Sequence, residues 1–207
     1  MNSVLHHILS TISSGMEMPV VIVLVLLLAF AVFTIGWILV EYFTEHRHMK
    51  ISLPKLIDEL RAESGDVAGC IEKSGLLKRQ KAALLELTRH SGLTPKMREE
   101  LAVNLLEQEQ AHYDKILKRT DLAAKLSPMF GLLGTLIPLG PGIIALGEGD
   151  TTTLSLSLKT AFDTTIVGLI AAAVFLVVST IRRRWYSGYM ADLETLMDCV
   201  LELEDEK

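Results

Sequence analysis

Three long runs of uncharged, mostly apolar residues divide this chain. They are Pro19–Val40, Leu126–Gly147 and Thr164–Ile181. The first run has 22 residues. As an α-helix it rises about 33 Å, which is enough to cross the hydrocarbon core of a bilayer. We therefore predict three transmembrane helices, with the bounds 19–41, 122–147 and 157–181.

The segment between the first two runs, residues 42–121, predicts a domain made only of helices. Asp66 is a predicted N-cap of one short helix, and Gly92 ends a longer amphipathic one. Thr94-Pro95 then combines a capping hydroxyl with a proline at the first helical position. No further breaker occurs before Ser127-Pro128, so we predict a single helix that runs from Pro95 into the second span.

Both ends of the chain also show helical periodicity. Residues 1–18 carry apolar side chains three and four apart, which predicts an amphipathic helix on the outer membrane surface. Residues 182–207 predict a C-terminal helix that packs on another cytoplasmic helix through alternate spacings of four and three. The apolar residues with these spacings are Tyr189, Leu193, Leu196, Val200 and Leu203.

These elements predict the fold class. With an outer loop at 148–156 and no strand pattern, we expect an all-α integral membrane protein. It would have three transmembrane helices and long helical cytoplasmic extensions.

The distribution of Lys and Arg predicts the orientation in the membrane. Residues 1–18 contain none, whereas the segment from Glu41 to Lys125 contains 15, and Arg182-Arg183-Arg184 closes the third run. Cytoplasmic loops are enriched in these residues. We therefore expect a multi-pass protein of the inner (cytoplasmic) membrane, with its N-terminus outside and its C-terminus in the cytoplasm.

Several classes of function find no support in the sequence. Basic residues alternate with acidic ones and the net charge is -5, which argues against nucleic-acid binding. There is no nucleophile–base pair, phosphate loop or metal-ligand spacing, so we expect no enzyme activity and no cofactor. Cys70 and Cys199 fall on the predicted cytoplasmic side, where thiols stay reduced and unpaired.

Small residues recur three or four apart on one face of the second span and one face of the third. Such faces allow transmembrane helices to approach closely. The residues that we predict to pack helices together are Gly131, Gly134, Ala161, Gly168 and Ala172.

Each of these two spans also carries a threonine near its middle, Thr135 and Thr165, at broadly similar predicted depth. One interpretation is that both hydroxyls line a polar ion path through the membrane. The alternative is that each hydroxyl bonds its own helix backbone and only helps packing.

Asp163 is the third candidate for the ion path. It lies two or three turns inside the third span, where an unpaired carboxylate is costly. The alternative is a structural salt bridge with Lys159, four residues earlier. Pro138 and Pro141 remove backbone donors, so they predict a kink in the outer half of the second span.

The stretch Gly131-Leu132-Leu133-Gly134-Thr135, together with residues 161–169, resembles the MotA/TolQ/ExbB proton-channel family. Thr165 and Gly168 stand at the key places of the second stretch. The order of elements is also similar, and three spans resemble ExbB and TolQ rather than the four-span MotA.

The resemblance implies a function. Family members form a homopentamer around a dimer of single-span partners similar to ExbD, TolR or MotB. A partner carboxylate takes protons, or sodium ions in some members, from outside and releases them inside, and pore-lining threonines that correspond here to Thr135 and Thr165 face that carboxylate. Ion flow then drives mechanical work at the cell envelope, such as protein transport. Where ExbB-like members carry a glutamate this chain has Thr160, and Asp163, one turn further on, is a candidate replacement.

A second hypothesis comes from a different class of protein. The chain would be a non-conducting membrane scaffold that oligomerises through its small-residue faces and recruits partners through its cytoplasmic helices.

Overall fold

The computed structural model describes residues 15–46, 53–62 and 66–205, and the regular structure in these ranges is helical. A five-residue π-helical turn, Tyr42–His46, extends the first helix. The helices are α1 (Glu17–Glu41), α2 (Leu53–Ala62), α3 (Val67–Lys73), α4 (Lys78–Arg89), α5 (Pro95–Gly147) and α6 (Thr151–Asp205).

Three of these helices, α1, α5 and α6, are long and apolar enough to cross a membrane. The predicted all-α membrane fold is therefore confirmed. Of the N-terminal helix predicted at 1–18, residues 1–14 lie outside the described residues and 17–18 belong to α1.

The chain forms two compact units. The first contains the described residues up to Trp37 together with Lys118–Thr180, and it holds the apolar parts of the three long helices. Its small core consists of Ala31, Ala123, Ala171 and Phe175. The Phe175 ring also contacts the Phe30 ring, with centroids 5.2 Å apart.

The second unit contains Ile38–Leu117 and the chain from Ile181 onward. Its core joins α2, α3 and α4 to the end of α6, and each fully buried leucine stabilises it by roughly 1.5–3 kcal/mol. The predicted packing of the C-terminal helix on another helix is confirmed. The α6 residues buried in this core include Leu193, Leu196, Val200 and Leu203.

Polar contacts fasten α4 within the second unit. The buried Gln80 side chain donates to the Tyr189 carbonyl at 3.0 Å, and its own oxygen accepts the Leu77 amide at 3.2 Å. The Arg79 guanidinium makes two hydrogen bonds of 2.9 Å to the Glu109 carboxylate.

Two predicted helix starts are confirmed. The Asp66 carboxylate caps α3 by accepting the Gly69 amide at 3.0 Å. Helix α5 begins at Pro95 and continues without a break into the second span. It stays α-helical through Pro138 and Pro141, so these prolines do not interrupt it, and their effect on the direction of its axis stays a prediction.

The outer loop predicted at 148–156 is wrong in length, because α6 is already helical from Thr151. The chain reverses within three residues. Gly149 adopts a left-handed conformation, with φ of 81°. The Asp150 amide donates to the Ala145 carbonyl at 2.9 Å, which is the pattern of a glycine-terminated helix end.

Asp150 then starts the next helix. Its Oδ1 accepts the amides of Thr152 and Thr153 at 3.1 and 3.0 Å, which satisfies two donors that a helix start leaves free. The sequence analysis overlooked Asp150 as a cap. Hydrogen bonds from the Thr153 side chain and backbone lower the pKa of this exposed carboxylate.

We expect Asp150→Ala to fray the start of α6, because the freed amides lose their acceptor. Hydrogen exchange at Thr152 and Thr153 should be faster than in the wild type, and Glu148→Ala should leave it unchanged. Because the folded-state pKa is lowered, the ionised cap stabilises above the usual value of 3.8 and loses its effect as the pH falls through the depressed value. A difference between wild type and variant that persists well below that pH would contradict the assignment.

Candidate ion pathway

Helices α5 and α6 approach each other at glycines. A Cβ built on Gly131 would lie 3.4 Å from the Gly168 Cα, and one built on Gly168 would lie 2.7 Å from the Ser127 carbonyl oxygen. A Cβ on Gly134 would lie 2.6 Å from the Thr164 Cβ. The two backbones are therefore in direct contact at Gly131 and Gly168, and a side chain at Gly168 or Gly134 would force its neighbours to shift.

These contacts set the register of the pair. As the position on α5 advances from Gly131 to Gly134 and Gly142, the facing residue on α6 moves back from Gly168 to Thr164 and Ser157. The helices therefore run antiparallel, which is the arrangement expected of two successive spans.

The register brings the two candidate threonines to one level. Thr135 and Thr165 each follow directly after the facing residues Gly134 and Thr164. Because the helices run in opposite directions and rise about 1.5 Å per residue, the two threonines differ in height by only about 3 Å. By the same count Asp163 lies level with Thr135.

The two hydroxyls differ in their bonding. The Thr135 hydroxyl donates to the Leu132 carbonyl at 2.6 Å, which is the backbone bond of the packing interpretation. The Thr165 hydroxyl oxygen is shielded from solvent and has no hydrogen-bond partner among the described residues. A buried hydroxyl without a partner costs roughly 1–3 kcal/mol, so Thr165 carries a polar group that the α5–α6 pair leaves unsatisfied.

Sequence analysis missed Thr164. This residue faces Gly134, and its hydroxyl donates to the carbonyls of Thr160 and Ala161 at 3.0 and 2.9 Å. It is buried, whereas Thr165 lies partly exposed at the flank of the contact. Thr164 belongs to a row of buried α6 residues spaced alternately three and four apart, and this spacing could have predicted that it faces the contact. The row consists of Ala161, Thr164, Gly168, Ala171 and Phe175.

The other predicted packing residues fall in two groups. Ala161 is buried, as are Gly131, Gly134 and Gly168. Ala172 is only half-buried, and its neighbour Ala171 is fully buried.

Asp163 is exposed on the surface of the single chain. Among the described residues it forms no hydrogen bond or ion pair, so the alternative of a bridge to Lys159 is not formed in this conformation. If Asp163 lies at the predicted depth, its carboxylate requires a partner from outside the chain.

Prolines free backbone acceptors near the same level. Pro138 and Pro141 have no N–H, so the carbonyls of Gly134 and Ile137 lack the donor that an uninterrupted helix supplies. Within a membrane such groups require protein or water as partners.

A polar contact that the sequence did not reveal lies further along the same two helices. The buried Ser179 hydroxyl donates to the Asp121 carboxylate. Ser127, between this pair and the threonines, is also buried, and its hydroxyl donates to the Ala123 carbonyl at 2.8 Å.

Comparison with known proteins identifies the family to which the chain belongs. The model of the MotA/TolQ/ExbB proton channel family matches residues 73–195, more than half of the chain. The chain belongs to this family. The match includes Thr135, Thr165 and the glycine contacts, and the family describes ion-driven channels of membranes. No curated protein matches the chain.

Membership of the MotA/TolQ/ExbB family and the three spanning helices together make this a multi-pass membrane protein. The family is not an enzyme class. In the part of the chain that the structure describes, no group of three His, Cys, Asp or Glu side chains is placed to hold a metal ion.

We expect Gly168→Ala to destabilise the α5–α6 pair, because the new methyl group meets backbone atoms that only a separation of the helices relieves. Overpacking of this kind costs roughly 1–3 kcal/mol, which should lower the melting temperature of the purified protein in detergent. The matched control is Gly188→Ala on the same helix, where a Cβ meets nothing within 4 Å. Equal melting temperatures for the two variants would contradict the close contact.

Proposed function

We propose that this chain is the wall-forming subunit of a proton- or sodium-driven membrane motor. Five copies would surround a dimer of single-span partners similar to ExbD, TolR or MotB. Ion flow along the wall would drive mechanical work at the cell envelope. The N-terminus would lie outside the inner (cytoplasmic) membrane and the C-terminus in the cytoplasm.

The unsatisfied hydroxyl of Thr165 is the observation that carries the proposal. It lies within about 3 Å of the level of Thr135, on the flank of the α5–α6 pair. A hydroxyl that finds no acceptor inside its own chain keeps its hydrogen bond for water, an ion or a carboxylate on another helix, which would reach it after a rotation of this partly exposed side chain. This is the property that an ion path requires and that a packing threonine lacks.

Surface exposure of the spanning helices supports an assembly. Only 22% to 33% of the most apolar stretch of each is buried within one chain. The remaining surface is available to lipid, to further copies and to the partner helices.

The scaffold hypothesis receives less support. It requires the small-residue faces to join separate copies, but Gly131, Gly134 and Gly168 already pack within one chain. A scaffold would have to associate through its larger exposed side chains.

We expect Thr165→Val to reduce ion flux by about tenfold or more, because it keeps the shape of the side chain and removes a hydroxyl that bonds a charged group. Flux should be measured in liposomes that contain the chain with its co-purified partner, under imposed proton and sodium gradients. Thr165→Ser, which keeps the hydroxyl, should restore most of the flux.

The matched control is Thr180→Val, which removes an exposed hydroxyl on the same helix that donates to the Leu176 carbonyl at 2.7 Å. Full flux in both Thr165→Val and Thr135→Val would contradict a path along these hydroxyls, whereas a wild-type complex with no flux would favour the non-conducting scaffold.

For Asp163 we propose a role in the same path, in the place of the family glutamate. Asp163→Asn should reduce ion flux while the protein stays abundant in the membrane, because an amide cannot release a proton or bind a cation with a full charge. The comparison variant is Lys159→Gln, which removes the cation of the structural alternative. Flux lost in Lys159→Gln but kept in Asp163→Asn would argue against the proposed role.

A further inference from the structure

A buried ion pair lies in the second unit, where α1 ends. The Arg182 guanidinium contacts Glu41 Oε2 through Nε and Nη2, both at 3.0 Å. The Tyr186 hydroxyl donates to the other carboxylate oxygen, Oε1, at 2.7 Å. The side chains of Glu41 and Arg182 are only 7% and 5% exposed, so both oxygens of the carboxylate are satisfied away from bulk solvent.

Aromatic contacts surround this cluster. The Tyr186 ring lies against the Tyr113 ring, with centroids 4.5 Å apart. One residue beyond the ion pair, the Tyr42 ring lies 6.0 Å from the Trp185 ring. Glu41 thus meets Arg182 and Tyr42 meets Trp185, so the end of α1 and this part of α6 run in the same direction with a single register.

Apolar packing alone does not define that register. Between Glu17 and Glu41, α1 carries no other charge, and its apolar side chains are spread around the whole helix. Apolar character alone therefore does not select one face of the helix for packing. The Glu41 carboxylate removes this ambiguity, because a shift separates it from Arg182 and leaves two unpaired charges at the membrane edge.

We propose that Glu41, Arg182 and Tyr186 form a register lock that fixes the height and rotation of the inner end of α1 against α6. Glu41 and Arg182 are positioning residues, since they set where a helix lies and contact no ion. Specifying the register of packed helices, at a cost in stability, is the best-attested role of buried polar or charged pairs. The effect on ion flow rests on the proposed function, whereas the effect on register does not.

Disulfide cross-linking in membranes of the full-length chain tests the register. In a background with Cys70→Ala and Cys199→Ala, Tyr42→Cys with Trp185→Cys reports the native register. Ile38→Cys with Trp185→Cys reports a shift of α1 by one turn. We expect the native cross-link alone when the cluster is intact.

With Glu41→Gln, the native cross-link should fall by about tenfold or more and the shifted one should appear, because one charge of the buried pair is left without its partner. The double reversal Glu41→Arg with Arg182→Glu should restore the native cross-link. Tyr186→Phe removes only one hydrogen bond and serves as a second variant in case Glu41→Gln does not accumulate. Its yield of the native cross-link should lie between those of the wild type and Glu41→Gln.

The matched control is Glu202→Gln. It breaks the Arg61–Glu202 pair, whose side chains are 62% and 72% exposed, and it should leave the native cross-link unchanged. The lock is refuted if Glu41→Gln and Tyr186→Phe both keep only the native cross-link, or if the reversal restores nothing.

Ion flux in the same variants, without the introduced cysteines, separates the two proposals. Loss of flux in Glu41→Gln and its return in the reversal would link register to ion flow. Thr165→Val should lose flux with the native cross-link intact. A wild-type complex with no flux would refute the proposed function and leave the cross-linking test valid.

Discussion

The backbone contact between α5 and α6 is the constraint on which the membrane part of this protein depends. Lipid chains are as apolar as leucine, so helices in a bilayer gain little from hiding apolar surface. They gain from close packing instead, and Gly131 and Gly168 let two backbones touch, while Gly134 makes room for the Thr164 side chain. Because this contact has a single register, it also decides which side chains share a level and which polar groups remain at its flanks.

Thr164 and Thr165 show how a difference of one residue changes the bonding of a threonine hydroxyl in this helix pair. Thr164 faces the glycines and bonds its own backbone, so it belongs to the packing of the pair. Thr165 is turned by about 100° and keeps an unsatisfied hydroxyl. In the proposed function, the second kind of group serves the ion path.

Local signals carried the predictions that the structure confirms. Thr94-Pro95 and Asp66 start helices through contacts within one turn. Such contacts join residues that are close in sequence, so a local sequence pattern can predict them. Glu41 and Arg182 are 141 positions apart in the sequence, and no periodic pattern of residues predicts that they pair. Asp150 was missed for another reason, because a polar, glycine-containing segment resembles a long loop when only its composition is considered.

The three-residue turn at Glu148–Asp150 affects how the two spans that it connects insert into the membrane. Because the connection is so short, the entropic cost of bringing the two helices together is small. The glycines that contact each other also lie on helices that are adjacent in sequence. The two spans can therefore enter the bilayer already paired, as a helical hairpin. Asp150 donates to one helix end and accepts from the other, so in the proposed orientation its charge would cross the membrane with the pair that it joins.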